Sequence, residues 1–70
     1  MDSDAHYMVL ALFEAKKAEM AGEVPVGAII VCGGDVIGRG FNQPISRSDP
    51  TAHAEILALR EAAQHQGNYR

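Results

Sequence analysis

The sequence offers a single cysteine, Cys32, so no intrachain disulfide can form and no Cys-x-x-Cys metal pair exists. No apolar run approaches the length needed to span a bilayer, and the first residues lack the basic start and apolar core of a secretory signal. The expected location is therefore cytoplasmic, with no membrane partner. Basic residues are also sparse: Lys16, Lys17, Arg39, Arg47, Arg60 and Arg70 form no run longer than two, and the formal net charge is −3. Composition by itself gives no sign of a nucleic-acid partner. Repeats, low-complexity tracts and linkers are absent as well, so no domain boundary is expected.

What is present is ordinary globular composition, 47% apolar and 21% charged, without the low hydrophobicity and high charge of a disordered chain. Its 70 residues make at most one small domain, marginally stable unless a metal, disulfide or partner supports it.

From about Ser3 to Ala21 the chain reads as a helix, because Met8, Ala11, Leu12, Ala15 and Ala18 recur at helical steps, Ser3 can cap the start and Gly22 can stop it. It is a packing helix with no visible chemistry. Val24 to Cys32 reads as a strand apolar on both faces, which predicts an inner strand covered by helices on two sides. Gly33-Gly34 predicts a tight turn into a second, antiparallel strand, Val36 to Phe41, whose polarity suggests the sheet's edge and whose Gly38 and Gly40 leave room for another backbone or a ligand. Asn42 to Asp49 has the composition of an ordered loop. A second helix is then expected, with Asp49 as N-cap, Pro50 as first helical residue, Ala52, Ile56, Leu59 and Ala63 as apolar stripe, and Gly67 as stop.

Chemistry is concentrated in Thr51-Ala52-His53-Ala54-Glu55. A histidine at a helix start feels the positive end of the dipole, which disfavours imidazolium and keeps a ring nitrogen free for a metal. A carboxylate two residues on can then act on a metal-bound water, or lie against the orphan amides of the helix start. On residue chemistry alone a metal site and a merely polar helix start are both open. Cys32 fits a small strand hydrophobe better than a ligand, and His6 and His65 sit on helices without a recognisable site.

Val24-Pro25-Val26-Gly27-Ala28, Gly38-Arg39-Gly40-Phe41-Asn42-Gln43-Pro44-Ile45, Asp49-Pro50-Thr51-Ala52-His53-Ala54-Glu55-Ile56 and Asn68-Tyr69-Arg70 together resemble, in order and spacing, the bacterial tRNA-specific adenosine deaminases of the cytidine deaminase-like superfamily. The resemblance runs over roughly residues 5 to 70. It implies a three-layer α/β/α fold, seen here only as helix-strand-strand-helix, with the rest of the sheet missing. It also implies a zinc cofactor with His53 as one ligand and Glu55 as general acid and base, not itself a ligand. In that chemistry Glu55 accepts a water proton and passes it to N1 as hydroxide adds to C6 of adenine; ammonia then leaves and inosine remains. Asn42 matches a residue that contacts the flipped nucleotide, though an Asn here can equally stabilise its own turn. Val26 and Ala54 match positions lining the base pocket, Ala54 through its backbone amide; for Val26 plain core packing is an equal alternative. The implied partners are a tRNA anticodon stem-loop and a second copy in a homodimer.

The family's Pro-Cys-x-x-Cys segment does not occur. The chain therefore reads as the N-terminal part, residues 1–70, of a single deaminase domain, with two cysteine ligands expected beyond Arg70 and no activity expected of the chain alone. Two rivals stand beside this reading. One is a deaminase of a free base or nucleoside, of guanine or cytosine type, since the Asp49 to Glu55 segment resembles those too. The other is a non-catalytic fragment that pairs its strand edge and helix faces with a partner.

Overall fold

A computed structural model describes residues 3–67, so the expected Ser3 side-chain cap and the Asn68-Tyr69-Arg70 match lie outside the described residues. The elements follow in the expected order: α1 (Ser3–Met20), β1 (Gly27–Cys32), β2 (Asp35–Phe41) and α2 (Ala54–Gln66). The two strands pair antiparallel through Gly33-Gly34, which have φ of 58° and 86°. Positive φ at both central residues is what a right-twisted hairpin requires of its turn, and glycine adopts it without strain. Gly27 faces Phe41, Ala28 faces Gly40 and Ile30 faces Gly38; then the register slips so that Val31 faces Val36, leaving Ile37 as the extra residue.

The helices lie on opposite faces of this hairpin. A Cβ on Gly27 would run into α1 at Ala11, Glu14 and Ala15, whereas one on Gly38 or Gly40 would run into α2 at Ala54, Leu57, Ala58 and Ala62. Gly27 pairs with Phe41, the neighbour of Gly40, and adjacent strand residues point to opposite faces, so α1 and α2 sandwich the sheet. The result is an α/β/α stack one hairpin wide, with principal extents of 33 × 32 × 11 Å. No helix is long and apolar enough to cross a membrane among the described residues.

This close approach decides which helix residues go inside. The core consists of Ala18, Ala52, Ala54, Leu57, Ala58 and Ala62, with no large side chain fully buried among the described residues. The stripe expected on α2 is thereby corrected: Ala54, Leu57, Ala58 and Ala62 face β2, while Leu59 is 53% exposed and Ile56 and Ala63 are half-buried. On α1, Ala11, Ala15 and Ala18 turn toward the sheet as expected, but Met8 and Leu12 are 60% and 62% exposed and Glu14 takes an inward position. Helix backbone lying against glycine leaves room only for alanine, so the bulkier apolar residues rotate away.

Two further expectations need correction. β1 begins at Gly27, not Val24, because the Val26 amide donates to the Val24 carbonyl at 2.8 Å and curls the chain around Pro25. Burial on both faces of this strand is incomplete: Gly27 to Ile30 are half-buried, Val31 and Cys32 exposed. A single hairpin offers each face one helix and leaves the outer edge of β1 unpaired among the described residues.

The Gly40 contact is testable. Gly40→Ala should destabilise the fold by about 2–3 kcal/mol through overpacking against α2, whereas Gly34→Asn, in open space at a turn position that asparagine tolerates, should change stability by less than about 1 kcal/mol; urea denaturation of each variant is the measurement.

Candidate active site

Three of the segments singled out in the sequence meet at Asn42. Its backbone N–H donates to the Val26 carbonyl at 3.0 Å, and its side-chain Oδ1 accepts the Ala54 amide at 2.9 Å. The next residue, Gln43, donates its N–H to the Ala52 carbonyl at 2.8 Å. The end of β2 is thus stitched both to the approach to β1 and to the start of α2, with Asn42 only 7% exposed.

A helix start leaves four amides without intrahelical partners. Here Asn42 satisfies that of Ala54 from outside the helix. His53 occupies the N-cap position in extended conformation (φ −84°, ψ 154°) and makes no side-chain cap bond. Its imidazole is exposed and carries no capping duty, and Glu55 stands exposed in the first turn of α2. The expected N-cap, Asp49, lies well before the helix: its Oδ1 accepts the Thr51 amide at 2.9 Å and the Thr51 hydroxyl at 2.7 Å. That pattern is an Asx-turn, which competes with capping for the same side chain. Those two bonds, the hydroxyl's first, hold the Asp49 carboxyl below its ordinary value, helped by the charges of Arg60 and Arg47.

The remaining site candidates separate. Ala54 is fully buried and its amide donates to Asn42, so in this chain that amide serves the helix start. Asn42 has one of the two acceptor sites of its oxygen committed, and its NH2 donors remain for an outside partner. Val26 is 41% exposed, which is not core packing in this chain. Cys32 sits at the turn end of the hairpin, opposite to Asn42, where its sulfur accepts from Gln66 Nε2 at 3.7 Å. His6 and His65 are exposed on α1 and α2.

One contact of this region escaped the sequence reading. Glu23, 6% exposed, receives the Ser46 amide and hydroxyl at 2.6 Å each and the Ile45 amide at 3.2 Å. These bonds, led by that of the Ser46 hydroxyl, keep its carboxyl below the ordinary 4.5 although burial opposes them. The loop that leaves Asn42 and returns to His53 is thereby clamped at its middle. Nothing local announces such a contact, since its partners lie 22 and 23 residues away.

Zinc is the cofactor the sequence resemblance implies, and His53 fits it in donor type and in exposure. The fit is partial: no group of three His, Cys, Asp or Glu side chains able to hold a metal occurs among the described residues, whereas a catalytic zinc takes three protein donors.

Asn42→Ala should cost about 1 kcal/mol in urea denaturation through loss of the cap, while Asn42→Asp, which retains an acceptor at the positive helix end, should stay close to the parent. Glu23 gives a pH signature. A carboxyl whose folded pKa is lowered contributes stability above its unfolded value, and that contribution disappears as pH falls through the folded pKa. Exchange protection of the Ser46 amide should therefore hold near neutrality, weaken below about pH 4.5 and be lost under stronger acid; Glu23→Gln should lower it at neutral pH and remove the step.

Compared with known proteins, the whole chain, residues 1–70, matches the family model described as the cytidine and deoxycytidylate deaminase zinc-binding region. It is similar to the tRNA-specific adenosine deaminase of Buchnera aphidicola subsp. Baizongia pistaciae, with 55% identity over 69 residues covering 99% of this chain and 43% of that protein. In structure it resembles a chain from biochemical and structural studies of A-to-I editing by tRNA:A34 deaminases at the wobble position of transfer RNA, at TM-score 0.90 and 45% identity, covering 96% of this chain and 52% of the other. A guanine deaminase from Bacillus subtilis is also similar, at TM-score 0.85 and 37% identity over 94% of this chain and 43% of that one. The chain therefore spans about half the length of the proteins it resembles. The helix-strand-strand-helix order with helices on both faces, and a family match over every residue, lead to one assignment: this chain belongs to the cytidine and deoxycytidylate deaminase zinc-binding family.

Proposed function

We propose that the protein deaminates adenosine to inosine hydrolytically at the wobble position of a tRNA anticodon. The observation that carries this reading is the 55% identity, over nearly the whole chain, to a tRNA-specific adenosine deaminase. Glu55 is the proton carrier: it takes a proton from the attacking water, delivers it to N1 of the purine and assists the departing ammonia. Its exposure at the first turn of α2 leaves the carboxylate free to do so. His53 is one zinc ligand, joined by two thiolates from outside this chain; the bound metal supplies a water ionised near neutral pH. The Asn42 amide donates to the flipped base while its oxygen holds α2 in place, and the exposed Val26 side chain borders the same pocket. The protein works in the cytoplasm as a homodimer.

A second reading, deamination of a free base, draws on the likeness to the guanine deaminase. The two are separated by comparing turnover of an anticodon stem-loop RNA with that of free adenosine, cytidine and guanine. Preference for the RNA is expected; faster turnover of any free compound overturns the proposal in favour of the rival. Within the same assay Glu55→Gln should lose roughly 10²- to 10⁴-fold in rate with zinc retained, and His53→Ala should lower the zinc content itself.

A further inference from the structure

A groove of about 440 Å³ runs along the outer edge of β2, lined by Glu14 and Lys17 of α1, Arg39 of β2, Arg47 of the following loop, and Arg60 and Glu61 of α2. Four of the six basic residues of a chain with net charge −3 thus converge on one groove. Both carboxylates there are already engaged. Glu14 lies 3.0 Å from the Lys17 ammonium, and Glu61 accepts the outward-pointing amide of Arg39 at 2.6 Å. By contrast, none of the three guanidinium groups is in an ion pair among the described residues. Arg47 donates from Nε to the Gln43 side chain at 3.1 Å, which orients it and leaves its terminal N–H groups for another acceptor. The Asp49 carboxyl, which the charges of Arg60 and Arg47 help to hold below its ordinary value, already accepts two bonds from Thr51.

The chemistry of this groove narrows its occupant. It is open and polar, and cations strung along a strand edge suit a ligand with regularly repeated negative charge better than a single small anion. Its position adds direction. Gln43, which also lines it, directly follows Asn42, so the groove opens beside the end of β2, and Arg60 lies five residues beyond Glu55, about 7–8 Å along α2 and about 140° round it. A strand that passes Asn42 meets the groove next, on the side of α2 turned away from Glu55. We propose that the groove carries the phosphate backbone of the RNA whose nucleotide is presented at Glu55, with Arg47 and Arg60 as its principal contacts. This inference rests on the tRNA-deaminase reading, but on a different surface. The arginines supply affinity and register, not base identity.

The test compares the intact protein with Arg47→Gln/Arg60→Gln and Arg47→Lys/Arg60→Lys, titrating an anticodon stem-loop RNA by fluorescence anisotropy across a salt series. The glutamine pair should bind at least tenfold more weakly, and the slope of log affinity against log salt should shrink by about 2, close to one for each phosphate contact removed. The lysine pair, which keeps the point charges, should recover most of the affinity. In turnover, the loss should fall on KM more than on kcat. Unchanged affinity and slope in the glutamine pair would sink the groove while leaving the deaminase reading standing; so would a loss that lysine does not restore, or a defect confined to kcat. A parent protein that binds no RNA yet deaminates a free base would overturn both.

Discussion

The hydrogen bond from the Ala54 amide to the Asn42 side chain is the constraint on which the site geometry depends. It joins the residue just after β2 to the first residue of α2 across twelve residues, and it does so with both groups buried. A buried amide at a helix start without a partner is costly, so α2 begins at Ala54 while Asn42, just after β2, supplies the acceptor. His53 and Glu55 are then placed by the backbone itself, one just before the helix and one in its first turn, with neither side chain used to hold the structure. The groups proposed for metal and proton chemistry remain uncommitted because an asparagine from elsewhere does the capping.

A second constraint works on volume. Gly27 on one face and Gly38 and Gly40 on the other bring helix backbone against strand backbone, and alanine fills what space is left. Small residues bury little apolar area each, so this core is thin in hydrophobic free energy and firm in geometry. The same closeness explains why Met8, Leu12, Phe13 and Leu59 point outward. Met8, Leu12 and Leu59 are residues that a stripe drawn from hydrophobicity places inside.

The parts of the fold that were legible in the sequence are those governed by local chemistry. Gly33-Gly34 reads as a hairpin turn because left-handed φ is needed twice in succession, and Gly67 ends α2 in the same conformation, with its amide on the Gln64 carbonyl. The strand pair and both helices followed from composition between these marks. Asp49-Pro50 misled for an equally local reason: an aspartate before a proline suits an N-cap and an Asx-turn alike, and only the contact of Asn42 with Ala54 decides between them. The start of β1 was obscured by Pro25, whose neighbours are apolar enough for a strand but bend through a three-residue turn. The pairing of Glu23 with Ser46 and Ile45 was illegible because no spacing rule links a carboxylate to amides more than twenty residues distant.

For the site itself the motif was legible and its wiring was not. His53 and Glu55 were visible as residue types two apart, yet the sequence did not say that Asn42 spends its oxygen on the helix or that Ala54 has no amide left to offer. This changes how recognition at the site is divided. Under the proposed function the Asn42 NH2 group would offer its donors to an acceptor on the base edge while its oxygen holds the Ala54 amide. Removing the asparagine would therefore disturb the position of α2 and, under the proposed function, the contact with the base as well. Under the proposed function the residue that orders the site would also meet the base, which would couple base selection to the integrity of the hairpin-to-helix junction.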